Sequence, residues 1–111
     1  DGDILFIDSS HYYAPGSDVY DIVHHILPVI HNGVHIHFHD VFYDLQYPVE
    51  WNNTEWNEQK TIFHILQSKP QYHVQFFTSY MAHNYPDIFR QTFPSLVHTA
   101  GGSLWLKKNM L

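Results

Sequence analysis

The chain has 111 residues, of which 44% are hydrophobic and 17% aromatic, enough for one globular domain with a core and not for two. Its formal net charge is −6 with only five Lys and Arg, which argues against a phosphate-backbone partner, and it has no cysteine, which excludes disulfides and thiolate metal sites. There is no signal peptide and no apolar run near the ~20 residues of a spanning helix, so the expectation is a cytoplasmic protein that binds neither nucleic acid nor membrane. Eleven histidines qualify the charge, since protonating all of them would turn −6 into +5.

A strand comes first. Ile4-Leu5-Phe6-Ile7 is apolar without alternation, which predicts cover on both faces, and it ends in Asp8-Ser9-Ser10-His11. No Met precedes it, as in a domain entered partway through. Pro15-Gly16-Ser17 is a turn, with Ser17 or Asp18 as N-cap of a helix carrying Val19, Ile22, Val23, Ile26, Leu27 and Ile30 at helical spacing. Pro28 should kink or end this helix, and Asn32-Gly33 closes it. A second strand over 34–39 ends in His39-Asp40. Residues 43–56 are polar and aromatic without a period, a lid or binding loop in which Trp51 and Trp56 lean to packing. Asn52-Asn53-Thr54 has the form of a glycosylation acceptor, which matters only after secretion. Asn57 can cap a helix over Glu58–Ser68 with Ile62, Phe63, Ile65 and Leu66 inward. A third strand is expected over 72–78, irregular chain over 79–100 with a short helical turn near 88–92, and a last strand over 103–107. The order β-α-β-α-β-loop-β predicts right-handed parallel crossovers among the first three strands. The last returns without a helix and could run antiparallel at an edge.

The chemistry collects where the first two strands end, which is where ligands sit in open α/β sheets. An acidic residue ending an apolar strand is costly to bury without a partner or a task, so Asp8 and Asp40 are the leading candidates. Asp40 could instead cap the next segment, and Ser9 and Ser10 could satisfy loop backbone groups. His35, His37 and His39 share one strand face, and only His39 reaches the level of Asp8 and His11. Carboxylate with imidazole suits a divalent metal, held by Asp8, Asp40 and His39. Without metal, Asp8 or His39 could act as general base, and His11 joins them as a candidate catalytic group. Histidines on a packed face are more often hydrogen-bonded core groups, the reading favoured for His35 and His37. The run His35-x-His37-x-His39-Asp40 is similar to the His-x-His-x-Asp-His string of metallo-β-lactamase-like hydrolases, with its last two positions inverted.

Several motifs together, Gly2-Asp3-Ile4-Leu5-Phe6-Ile7-Asp8-Ser9-Ser10-His11, Ala14-Pro15-Gly16-Ser17-Asp18-Val19, His37-Phe38-His39-Asp40-Val41-Phe42, Trp56-Asn57-Glu58-Gln59 and Gly102-Ser103-Leu104-Trp105-Leu106-Lys107, resemble the carboxyl half of class I S-adenosylmethionine-dependent methyltransferases, in particular the bacterial methyltransferase-domain family. The likeness covers nearly the whole chain. It implies a partial Rossmann-like three-layer α/β sandwich with a mostly parallel four-stranded sheet, its last strand antiparallel between its neighbours. It also implies that carboxylates ending the first two strands, Asp8 and Asp40 by position, hold a divalent cation as in related metal-dependent O-methyltransferases. Asp8, Ser9 and Ser10 would face the cofactor. His35 departs from the family, which usually has an apolar residue there.

The family's glycine-rich turn for S-adenosylmethionine is absent, since the five glycines are Gly2, Gly16, Gly33, Gly101 and Gly102. The expectation is therefore the acceptor-side half of a methyltransferase acting on a small molecule or sugar, with little or no activity as this isolated chain. The alternatives are a non-catalytic metal-binding or dimerising remnant, and a metal-dependent hydrolase built on His35, His37 and His39. The exposed edge of the first strand predicts a homodimer.

Overall fold

The computed structural model describes residues 2–52, 55–96 and 101–110. Four strands form one open sheet: β1 (Ile4–Ile7), β2 (His35–His39), β3 (Tyr72–Phe77) and β4 (Ser103–Lys108), in the order β1-β2-β4-β3. β1 pairs with β2 in parallel, with Ile7 opposite Phe38, and β4 runs antiparallel to both β2 and β3. The fold is mixed α/β. Three strands share a direction, yet only one pairing is parallel, because β4 stands inside the sheet rather than at its edge. That position suits its sequence: Leu104 and Leu106 alternate with Trp105 and are 0% and 2% exposed between two neighbours.

Ser17 is the N-cap of α1 (Asp18–Asp21), its hydroxyl accepting from Tyr20 N at 3.1 Å. The expected helix does not continue to Ile30. It widens into a π-turn over Ile22–Ile26, where Leu27 N donates to Ile22 O at 2.9 Å. Pro28 follows immediately, without an N–H to continue the ladder. α2 spans Glu58–Ser68 as read from its period, with Ile62 and Ile65 buried and Phe63 and Leu66 packed at the core margin. Asn57 does not cap it with its side chain. The backbone carbonyl of His11 takes that place, accepting from Asn57 N and Glu58 N at 2.9 and 3.0 Å. The stretch expected to be irregular holds two helices, α3 (Thr78–Asn84) and α4 (Pro86–Thr92). Pro86 starts α4 at its first turn, where its missing N–H costs nothing. Asn53 and Thr54 of the glycosylation triplet, and His98, lie outside the described residues.

The core lies on one face of the sheet. Ile36 and Phe38 are 0% and 1% exposed there and cluster with Ile7, Ile62, Leu104 and Leu106. Each such side chain contributes roughly 1.5–3 kcal/mol by burial. The opposite face carries Ile4 and Phe6, then His35, His37 and His39, then Trp105. β1 was expected to be covered on both sides; instead Ile4 and Phe6 are 62% and 60% exposed. An unbroken apolar run reads the same whether one or two faces are packed, so only the fold distinguishes them.

Lys108 ends β4 inside the molecule. Its Nζ donates to the carbonyls of Leu27, Pro28 and Ile30 at 2.8, 3.0 and 2.9 Å. They lie at the negative end of the first helical segment, where Leu27 O also accepts from the Tyr72 hydroxyl at 3.0 Å, and among the described residues these carbonyls satisfy the buried cation without a counter-ion. No helix among the described residues is long and apolar enough to cross a membrane.

Candidate metal centre

Parallel pairing of β1 and β2 delivers Asp8 and Asp40 from the same end of the sheet. The loop after β1 then turns back. His11 has φ +62° and Asp40 φ +64°, left-handed conformations that side chains adopt at a cost of about 1 kcal/mol or more and that concentrate at functional sites. The two turns aim both side chains inward. His11 Nε2 stands 3.2 Å from Asp40 Oδ2 and 3.6 Å from Asp8 Oδ1. One ligand atom from each of Asp8, His11 and Asp40 lies within 4.8 Å of the others. Exposure is graded, with side chains 5% exposed at His11, 21% at Asp40 and 52% at Asp8. The site therefore opens to solvent past Asp8, beside a shallow cavity of about 270 Å³ lined by Phe6, Asp8, Ser9 and Asp18 among others.

Behind the triad is a carboxylate that the motif reading passed over. Glu58, the first residue of α2, is 1% exposed. Its Oε1 accepts from His11 Nδ1 at 2.8 Å and its Oε2 from the Ser9 hydroxyl at 2.7 Å. The Ser9 oxygen in turn accepts from His11 N at 3.0 Å. Both oxygens of this buried acid are used, and they fix the ring with Nε2 toward Asp8 and Asp40. A signal for it existed. Glu58 precedes Ile62 by four residues and Ile65 by seven, so a carboxylate stands on the apolar stripe of its own helix. The Trp56 ring packs on His11 at 4.5 Å and touches Tyr47 and Trp51, which places the loop aromatics as packing over the ring. Phe42 joins them and lies against Gly102, where an added Cβ would come within 2.8 Å of its ring. Gly102 O accepts from Asp40 N and Val41 N, which holds the Asp40 turn in place.

Electrostatics follow from this crowd of acids. Burial pulls the His11 imidazolium down, but the hydrogen bond and charge of Glu58, then the charges of Asp40 and Asp8, outweigh it and raise its pKa above 6.5. Burial also pushes the Tyr47 hydroxyl up, helped by the charges of Glu58 and Asp40. Burial, then the neighbouring His39, pushes His37 down.

His39 stands beside the triad, its Nε2 3.6 Å from Asp40 Oδ1, and is not part of the three-residue group; His11 occupies the imidazole position assigned to it from spacing. Ser9 is bound to Glu58, and Ser10 grips Asp18 through both its hydroxyl and its N–H, so both hydroxyls are engaged within the chain. His35 turns away, its Nδ1 2.6 Å from Gln75 Oε1, so the three strand histidines do not converge as one ligand set. The larger cavity, about 550 Å³ between the first helical segment and α2, contains none of the triad. A set of one imidazole and two carboxylates, with a third carboxylate behind the imidazole, has the chemistry of a divalent-cation site in which the ion replaces the Nε2 proton. In comparisons with known proteins, no family model, no curated protein and no solved structure matches this chain.

Proposed function

We propose that Asp8, His11 and Asp40 hold a divalent cation, and that the chain uses it to seat an oxygen-bearing acceptor for methyl transfer. The observation that carries the first part is the Glu58–His11 pair, whose 2.8 Å bond fixes the imidazole with its free nitrogen toward two carboxylates. Carboxylate, imidazole and ion in series is the usual way a protein orients a metal-binding histidine. The mixed ligand set suits Mn²⁺, Fe²⁺ or Zn²⁺ better than Mg²⁺, which prefers oxygen alone. A bound cation would polarise an acceptor hydroxyl and ease its deprotonation. The open Asp8 and, while it carries no ion of its own, the half-exposed His39 are the groups placed to take that proton. The cavity beside Asp8 has room for a small molecule or one sugar ring.

The methyl-transfer part rests on the sequence resemblance, supported by strand order: a β4 lying antiparallel between two strands that point the other way is what the resemblance implies. In this reading S-adenosylmethionine belongs to the complete Rossmann-like fold. A remnant that binds metal without turnover uses the same triad, and a labelled-methyl assay separates the two. The hydrolase reading is less favoured, since among the described residues His35, His37 and His39 do not come together as one three-ligand group.

Calorimetric titration with Mn²⁺ at pH 7.5 tests the site. One ion per chain is expected, with affinity about 10–100-fold weaker in Glu58→Gln, which keeps the shape and removes the charge behind His11. Asp40→Asn should weaken it at least as much. Unchanged affinity in both variants contradicts the assignment.

A further inference from the structure

We propose that His37 and His39 form a second cation site, rich in nitrogen and separate from the oxygen-rich triad, which takes a borderline divalent ion such as Cu²⁺, Ni²⁺ or Zn²⁺. Residues two apart on a strand share a face, and β2 places these two rings on the face opposite the core. His37 Nε2 and His39 Nδ1 are 3.4 Å apart. Two nitrogens held at 2.0–2.1 Å by one tetrahedral ion stand about 3.3–3.4 Å apart, so this pair already has the spacing of neighbouring ligands. The His37 ring is held in that pose. It stacks on Phe6 at 4.8 Å and 14°, meets the edge of Trp105 at 4.6 Å, and the residue is 5% exposed.

His39 supplies the open side. Its side chain is 43% exposed, which leaves the remaining positions on the ion to water. Its second nitrogen, Nε2, lies 3.6 Å from Asp40 Oδ1, longer than a hydrogen bond and looser than the 2.8 Å pair that Glu58 makes behind His11. Asp40 then serves both centres, Oδ2 toward His11 and Oδ1 toward His39. The ligand chemistry sorts the ions: two imidazoles favour the softer end of the divalent series, two carboxylates with one imidazole the harder end. A plain N–H···N bond between the rings is the competing account of the same 3.4 Å.

Titration of the full chain with Cu²⁺, followed by electron paramagnetic resonance, separates the accounts. In Asp8→Asn, which dismantles the oxygen-rich triad, one Cu²⁺ with a two-nitrogen signature is expected to remain. Adding His39→Ala, at a half-exposed position outside the core, should weaken that ion by about tenfold or more and lower the nitrogen count. His37→Ala should do the same, and circular dichroism reports whether this buried change leaves the fold intact. His24→Ala, on the first helical segment, should change nothing. A two-nitrogen signature that survives His39→Ala, or no two-nitrogen signature at all, overturns the proposal. Mn²⁺ binding by the unaltered chain is read separately, so failure of one centre is not mistaken for failure of the other.

Discussion

Three carboxylates, Glu58 foremost, hold the His11 pKa above its ordinary value against a burial that alone would lower it. Its folded pKa lies above the unfolded value of about 6.5, so the protonated ring stabilises the metal-free fold fully below pH 6.5, and that contribution is lost as pH rises through the raised folded value. Urea unfolding in the presence of a chelator should show this. The stability difference between the unaltered chain and His11→Gln is expected to be largest below pH 6.5 and to shrink above it; a difference that grows with pH contradicts the charge assignment. An ion needs the lone pair that the proton occupies, so Mn²⁺ affinity should rise over the same window as stability from the proton fades. At this scale the sequence was partly legible. Asp8 and Asp40 stand out because each follows an apolar strand. The backward turn of His11 does not, since nothing in Ser9-Ser10-His11 announces a left-handed histidine. Glu58 could be read only by asking why an acid shares a stripe with Ile62 and Ile65.

The elements that matter most are tied by groups at their ends. α2 begins on the His11 carbonyl, and Asn57 clasps Tyr13 through both its side-chain atoms, so loop and helix hold the site as one piece. The first helical segment ends on Lys108. Lys108→Met keeps the stem and removes the donor; Leu27 O keeps the Tyr72 hydroxyl, while the part-buried carbonyls of Pro28 and Ile30 lose the ammonium, at a cost of about 1–3 kcal/mol. The urea midpoint should fall accordingly, and an unchanged midpoint would show that water replaces the ammonium. The pattern revealed β1 as an unbroken apolar run, β2 by Ile36 and Phe38 alternating with histidines, and α2 by the helical spacing of Ile62, Ile65 and Leu66. Over 79–92 it found only the helical turn near 88–92, which is the later part of α4; α3 was missed, as was the start of α4 at Pro86. It also missed the π-turn, since the spacing of Val19, Ile22, Val23 and Ile26 is equally regular for a helix that continues.

Across the whole molecule, the main core lies on one face of the sheet, the other face is covered beside β3, where Phe76 meets Phe93, and the sheet is open at β1. Strand β1 is an edge with Ile4 and Phe6 exposed, and such an edge is a template for a further strand. A second copy pairing there would cover both side chains around a two-fold axis. Sedimentation velocity at high micromolar concentration should find a dimer that Phe6→Lys returns to monomer, and a monomer before the change would remove the idea. The direction of β1, β2 and β3 was legible from the helices between them, whereas the inner place of β4 depends on contacts that no local pattern encodes. What binds these scales together is the meeting of Asp8, His11 and Asp40 at one rim with Glu58 behind. The most direct test is a crystal grown with Mn²⁺ and measured for anomalous scattering. The account predicts a peak ligated by His11 Nε2 and by oxygens of Asp8 and Asp40, with Glu58 still on Nδ1; a map without a peak there, and His11 still bonded to Asp40, would contradict it.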